Sequence, residues 1–203
     1  MKGIKIYIFD WCGTLSNDLL NVYRAAMAVF RELGLKRLSW EEFRQEFKAP
    51  YMDFYRKFTA TVPKCRIDSL YLQKIRSFKK PKLFPGVKEV LEFLNKKGKK
   101  LAILSSYPEQ TLLEEIEHHG IQGLFLDVVG GAHDKVSAMA TLMERNDFLA
   151  FSTAYVGDMV YDIRIGKIAK VTTIALSWGY QTRSRLLSAQ PDFVLSDLRE
   201  IIS

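Results

Sequence analysis

The run Ile6-Tyr7-Ile8-Phe9-Asp10-Trp11-Cys12-Gly13-Thr14-Leu15 decides the fold. Four apolar residues, alternately β-branched and aromatic, stop at a lone carboxylate, and a glycine turn follows at once. An uninterrupted apolar strand of this kind belongs in a sheet covered on both faces, which means a parallel sheet with helical crossovers. Two questions follow from it: what Asp10 is for, and why a cysteine stands two residues beyond it.

From residue 83 onward the chain supplies those crossovers. Pro85-Gly86 introduces Val87, Val90, Leu91 and Leu94 at helical spacing, and Lys96-Lys97-Gly98 closes that helix. LAILSS (101–106) reads as a short buried strand. Residues 108–119 read as a helix with Leu112, Leu113 and Ile116 inward and Gly120 at its end. A strand in LFLDVVGG (124–131), a helix over 135–145, a strand AYVGD (154–158), a helix over 161–169 and a strand VTTIALS (171–177) continue the alternation. The expected class is α/β, a parallel sheet with helices on both faces.

Residues 16–80 break the rhythm. Asn17 or Asp18 can cap a helix carrying Leu19, Val22, Tyr23, Ala26, Val29 and Phe30, ended by Gly34. Ser39-Trp40-Glu41-Glu42 fits a capping box for a second helix bearing Phe43 and Phe47. Pro50 interrupts, and Phe54, Tyr55 and Phe58, then Leu70, Tyr71, Ile75 and Phe78, predict two more helices. The stretch reads as an all-helical insertion after the first strand.

Bulk properties narrow the function. Two cysteines, Cys12 and Cys65, supply neither a disulfide framework nor a metal-ligand cluster. No apolar run approaches a membrane span and no leader pattern precedes the first strand, so a cytoplasmic location is expected. The net charge of +7 favours anions. Its lysines, however, gather at turns (79, 80 and 82; 96, 97, 99 and 100) without a nucleic-acid recognition motif, which predicts a solvated surface and no nucleic-acid partner. His118 and His119 suit a helix C-terminus and His133 a loop. Trp40 and Trp178 are assigned to packing, and Cys65 to the interior of the insertion. Nothing in the sequence speaks to oligomeric state.

Ligands of an open parallel sheet bind beyond the carboxyl ends of its strands. Asp10 ends the first strand, Ser105 and Ser106 another, and Gly157-Asp158 a third, with Asp162 one helical turn on. Lys135 opens the helix after Gly130-Gly131. Carboxylates, a hydroxyl and a lysine at one rim suit a divalent cation and a phosphoryl group.

This set, Asp10-Trp11-Cys12-Gly13-Thr14, Ser105, Lys135 and Gly157-Asp158-Met159-Val160-Tyr161-Asp162, resembles the four ordered motifs of the haloacid dehalogenase superfamily. LFPGVKEVLEFLNKKGKKLAILSS and ALSWGYQTRSRLLSAQPDFVLSDL resemble its phosphoglycolate-phosphatase-like branch. The resemblance implies a Rossmann-like catalytic core of residues 1–15 and 81–203 and a helical cap of residues 16–80. It implies a small phosphorylated substrate and Mg²⁺ as cofactor. It makes Asp10 the nucleophile that forms an aspartyl phosphate, and places Mg²⁺ on Asp10, Asp158 and the backbone carbonyl of Cys12, with Asp162 in the outer shell or steadying Lys135. Ser105 would bind a phosphoryl oxygen, and Lys135 would offset charge on nucleophile and phosphate. Substrate contacts are expected from Trp11, Cys12, Gly13, Thr14 and Ser106 on the core, with Trp11 either shaping the pocket or packing, and from Tyr51, Tyr55 and Arg56 in the insertion.

Where most phosphatases of this resemblance carry a second Asp, two residues after the nucleophile, this chain has Cys12. That Asp protonates the leaving alcohol, assistance worth about 10² to 10⁴ in rate. A thiol is an imperfect acid, and alkyl esters should suffer most from the exchange. Two further readings follow: a phosphonoacetaldehyde-hydrolase-like enzyme, whose motif also reads Asp-Trp but whose cap lysine is matched by Tyr55 with Lys57 offset, and a weakened member that binds a phosphorylated ligand. Lys170 stands where relatives place a glycine after a helix.

Overall fold

The structure is a computed structural model that describes residues 1 and 3–202. The chain divides into two compact units, Met1–Asn17 with Leu83–Ser203, and Asp18–Lys82.

The first unit begins with β1 (Ile6–Phe9) and the short β2 (Ser16–Asn17). In the second unit follow α1 (Leu19–Glu32), α2 (Trp40–Glu46), α3 (Tyr51–Phe58) and α4 (Lys64–Ile75). After β3 (Lys82–Leu83), which forms a two-stranded sheet with β2, the chain runs α5 (Val87–Lys96), β4 (Lys100–Leu104), α6 (Glu109–His118), β5 (Asp127–Val129), α7 (Lys135–Arg145), β6 (Thr153–Gly157), α8 (Val160–Ile168), β7 (Thr172–Leu176), α9 (Arg183–Ser188) and β8 (Phe193–Leu195).

The main sheet has the order β5-β4-β1-β6-β7-β8, and its pairs are parallel. Phe9 sits opposite Ile103 on one side and Val156 on the other. From β1 the chain passes to β4 and β5 on one flank and returns to β6 on the other, so the order reverses at β1. A parallel sheet opens a crevice at such a reversal, beyond the strands' carboxyl ends. Asp10 lies there.

All four β1 residues are buried, and they divide between two cores. Tyr7 and Phe9 join Leu101, Ile103, Val90, Leu91, Leu112 and Ile116 under α5 and α6. Ile6 and Ile8 join Ala102, Leu104, Met139, Leu142 and Ile165 under α7 and α8. Fully burying such a side chain contributes about 1.5–3 kcal/mol, which is why the apolar run shows no alternation with polar residues.

The helical unit is built around aromatic rings. Phe54 contacts Phe30, Phe43, Phe47, Tyr55 and Phe58 at centroid distances of 5.6, 5.5, 5.5, 5.2 and 5.4 Å. The Ser39 capping box forms as the sequence predicts, Ser39 Oγ accepting from Glu42 N–H at 3.1 Å and Glu42 Oε2 from Ser39 N–H at 2.6 Å. At α1 the expectation differs: Asp18 occupies the cap position without a capping hydrogen bond from its side chain.

Four further details depart from the sequence reading. Leu113, expected inward, is 46% exposed, because one turn of α6 gives its buried positions to Leu112, Glu115 and Ile116. Cys65, expected inside the insertion, is exposed in the first turn of α4, whose inward positions are Ile67 and Leu70. That helix ends at Ile75, short of Phe78. The strand within 124–131 shrinks to Asp127–Val129, since residues 122–124 form a 3₁₀ turn. No helix among the described residues is long and apolar enough to cross a membrane.

Candidate active site

Asp10 is placed by the sheet: its N–H continues the β1 ladder to Val156 O at 2.9 Å. The turn after it is organised by one carbonyl, Trp11 O, which accepts from the N–H groups of Thr14, Leu15 and Ser16 at 3.2, 2.9 and 2.9 Å. Gly13 makes that turn possible, with φ at +72° and a Cβ there falling 2.5 Å from Tyr180 Cδ2 and 2.6 Å from Asp158 Oδ2. Only a residue without a side chain meets both demands.

Asp158 follows β6. Thr14 Oγ1 donates to its Oδ1 at 2.9 Å and Tyr180 N–H to its Oδ2 at 2.6 Å. Gly179 lets the backbone come so close that a Cβ would lie 2.1 Å from Asp158 Oδ2. Asp162, in the first turn of α8, accepts from Met159 N–H at 3.1 Å through Oδ2 and turns Oδ1 toward Lys135. Lys135 opens α7 beside Asp134, whose side chain caps the helix by accepting from Val136 and Ser137 N–H at 3.1 and 3.3 Å.

The Lys135 ammonium uses its three protons on three acceptors: Asp10 Oδ1 at 2.9 Å, Asp162 Oδ1 at 3.0 Å and Tyr155 Oη at 3.1 Å. Tyr155 in turn donates to Asp162 Oδ1 at 3.1 Å. Ser105 is 1% exposed at the end of β4, its Oγ accepting from Tyr107 N–H at 3.2 Å, while Ser106 beside it is exposed.

One carboxylate oxygen from each of Asp10, Asp158 and Asp162 lies within 4.8 Å of the others, and the three residues are buried. Three negative charges against the single Lys135 ammonium leave a net −2 when all are ionised. Burial pushes the Asp10 carboxyl up to about 6, against the pull of Lys135 and with Asp162 adding to the rise. Burial, then Asp162 and Asp10, raise Asp158 well above the usual carboxylate range. Burial opposes the charge on Lys135, but Asp10 and Asp162 outweigh it and hold the ammonium protonated. A buried, oxygen-only ligand set with an uncompensated −2 fits a hard dication such as Mg²⁺.

The structure thus brings together Asp10, Asp158, Asp162 and Lys135, with Ser105 on the neighbouring strand end. Cys12, partly exposed, lies in the turn after Asp10 and bridges to Ser16. Other expected contacts find different work. Trp11 has its side chain fully buried in the core, where Nε1–H donates to Glu115. Thr14 is likewise fully buried, its hydroxyl spent on Asp158, and Gly13 offers only backbone. Within the helical unit Tyr55 is 2% exposed among Phe30, Tyr51 and Phe54, so its ring is core and not a surface contact. Tyr51 is partly exposed and donates to Asp68, and Arg56 is exposed, 3.6 Å from Asp53. His118 sits in the last turn of α6 and His133 in an exposed loop.

Tyr155 escaped the sequence reading. Strand parity was the available signal: Tyr155 and Gly157 point to the same side of β6, and it is the Gly157 side that Asp162 approaches, a Cβ there falling 2.4 Å from Asp162 Cβ.

Comparison with known proteins bears on this geometry. The sequence model of the haloacid dehalogenase-like hydrolases matches residues 7–176. The chain is 28% identical to a phosphoglycolate phosphatase of Vibrio parahaemolyticus, covering 99% of this chain and 96% of that one. It is also 28% identical to the Vibrio cholerae phosphoglycolate phosphatase, covering 100% and 97%. Among solved structures, a haloacid dehalogenase-like hydrolase from Streptococcus pneumoniae superposes with a TM-score of 0.86 at 20% identity over 100% of this chain and 98% of that one. A predicted phosphoglycolate phosphatase from Haemophilus somnus gives 0.81 at 20% identity with the same coverage. At that identity the superpositions establish the fold.

Proposed function

Because the chain belongs to the haloacid dehalogenase-like hydrolase family, we propose that it is a Mg²⁺-dependent phosphatase acting on a small phosphate monoester through Asp10. The observation that carries the proposal is the buried trio Asp10, Asp158 and Asp162 around the Lys135 ammonium, at the strand end where the sheet order reverses.

Asp10, Asp158 and the Cys12 carbonyl would hold Mg²⁺, with Asp162 behind them; when bound it supplies positive charge against carboxylate and phosphoryl dianion. A carboxylate oxygen of Asp10 attacks phosphorus, the phosphorus–oxygen bond to the leaving group breaks, and an aspartyl phosphate results. Lys135 keeps Asp10 ionised and oriented, and faces charge that builds on the transferring group. Ser105 would hydrogen-bond a phosphoryl oxygen. Water then attacks the phosphorus, releasing phosphate and restoring the carboxylate. In the first step the leaving oxygen needs a proton; Cys12 stands where relatives keep an aspartic acid, so aryl and acyl phosphates, which leave as weak bases, should be turned over best.

Phosphoglycolate is the first ester to assay, since relatives matched over almost the whole chain carry that name. The helical unit is proposed as the substrate-selecting cap, with Tyr51 and Arg56 its candidate contacts. Turnover of a panel of phosphate esters that requires Mg²⁺ and disappears in Asp10→Asn supports the reading. Turnover that survives both chelation and Asp10→Asn overturns it.

Cys12 gives one observation in favour of a second reading, a ligand-binding member with little turnover; calorimetric binding of phosphoglycolate with no hydrolysis across the panel would establish it. The phosphonate-cleaving reading is not favoured, since relatives matched over almost the whole chain are named phosphoglycolate phosphatases.

A further inference from the structure

Glu115 is a buried carboxylate apart from the reacting trio. Glu115, on α6, is 2% exposed in an otherwise apolar core, a placement that is costly unless its oxygens are used. Both are. Trp11 Nε1–H donates to Oε2 at 2.8 Å, and Tyr107 O–H donates to Oε1 at 3.0 Å. The two donors belong to different strand-end loops, one directly after Asp10, the other directly after Ser105 and Ser106.

Each donor governs its own loop. Trp11, fixed by its ring, presents the carbonyl that gathers the Thr14, Leu15 and Ser16 N–H groups into the turn beside Asp10. Tyr107 donates its N–H to Ser105 Oγ at 3.2 Å and accepts from Gly131 N–H at 2.7 Å. Gly131 precedes Ala132, whose N–H returns to Ser105 O at 3.0 Å, and the segment continues into Lys135. One carboxylate therefore joins the loop of the nucleophile to the loop of the phosphate-binding serine, and through it to the segment that delivers the lysine.

We propose that Glu115 is a positioning residue for the phosphatase reaction: by bridging Trp11 and Tyr107 it sets the spacing between Asp10 and Ser105. This rests on the function proposed above. Glu115 touches no reacting atom; it acts by keeping two strand ends in register, where a misplacement of about 1 Å can cost about 10² in rate.

The test compares Glu115→Leu, which removes both acceptors, Glu115→Gln, which keeps an acceptor for the indole N–H and a partner for the phenol, and Trp11→Phe and Tyr107→Phe, which each cut one arm. The substrate is p-nitrophenyl phosphate with Mg²⁺, and each variant is first shown by circular dichroism to be folded at the assay temperature. Glu115→Leu is expected to lower kcat about ten- to a hundred-fold with KM changed less than three-fold, and Glu115→Gln to recover to within about three-fold of the parent. Should Glu115→Leu not fold, the two single-arm variants carry the test: each lowers kcat, and their combination lowers it by less than the product of the two. A kcat within two-fold of the parent in Glu115→Leu, or in both single-arm variants, overturns the proposal, as does a Glu115→Gln variant no better than Glu115→Leu. Asp10→Asn serves as the separate control. If it retains activity, the function reading fails; if it is dead while the Glu115 variants are unaffected, only the positioning role fails.

Discussion

Lys135→Met removes the ammonium that joins the buried carboxylates Asp10 and Asp162, and its consequence can be worked from the distances. At 2.9 Å from Asp10 and 3.0 Å from Asp162, an effective dielectric near 20 gives about 5–6 kcal/mol of attraction for each pair. Desolvation of the three groups absorbs part of it, and cutting one partner from a buried pair costs about 3–5 kcal/mol. Asp162→Asn removes the opposite end of one pair and relieves repulsion among the acids, so it should cost less than the lysine. The decisive quantity is the coupling. If the ammonium is held by Asp162, the double variant loses less stability than the sum of the singles, by about 1.5 kcal/mol or more. Equilibrium urea unfolding at neutral pH in EDTA measures all four corners of the cycle, with the urea slope checked for constancy. Additivity to within about 0.5 kcal/mol would refute the charge argument, because neighbours at hydrogen-bond distance cannot be independent if their attraction shapes the site.

Other outcomes follow from the same geometry. Lys170 takes a left-handed φ of +57° just after α8, its N–H bonded to Lys167 O and Val171 N–H to Gly166 O, so Lys170→Gly should raise stability by about 0.5–1 kcal/mol, read as a higher urea midpoint; an unchanged or lower midpoint counts against the strain argument. Mg²⁺ at about a hundred times its dissociation constant should stabilise the folded chain by about 2.7 kcal/mol, and Asp158→Asn should remove the shift in melting temperature; an equal shift in that variant places the ion elsewhere. Cys12→Asp should raise turnover of alkyl phosphates about ten-fold or more while changing p-nitrophenyl phosphate turnover much less. Equal effects on both would show that leaving-group protonation is not the limit.

Sequence and structure agree where chemistry and periodicity coincide. Ile6–Phe9 could be read as a doubly covered strand because its neighbours leave no polar face, and 135–145 as a helix because it continues the alternation of strands and helices. Asp10, Asp158, Asp162 and Lys135 were legible as a set because each lies at a strand end or in the first turn of the helix that follows. What stayed hidden depends on packing between distant segments. Nothing local distinguishes Glu115 from Glu114 or Glu117 in α6, since only the tertiary fold brings Trp11 to within hydrogen-bond reach from 104 positions away. For Trp11 and Tyr55 the sequence offers packing beside binding, and the structure buries both side chains. The donation of the Thr14 hydroxyl to Asp158, 144 positions away, is equally invisible in the sequence.

The central claim is that Asp10 carries the phosphoryl group. It is tested most directly by mixing the enzyme with p-nitrophenyl phosphate and Mg²⁺, quenching in acid during turnover, reducing with borohydride, and sequencing the peptide that spans residues 6–24 by mass spectrometry. Homoserine at position 10, absent without substrate and absent in Asp10→Asn, is the predicted result. Homoserine at another position, or an Asp10→Asn variant that turns over the ester as fast as the parent, would contradict it.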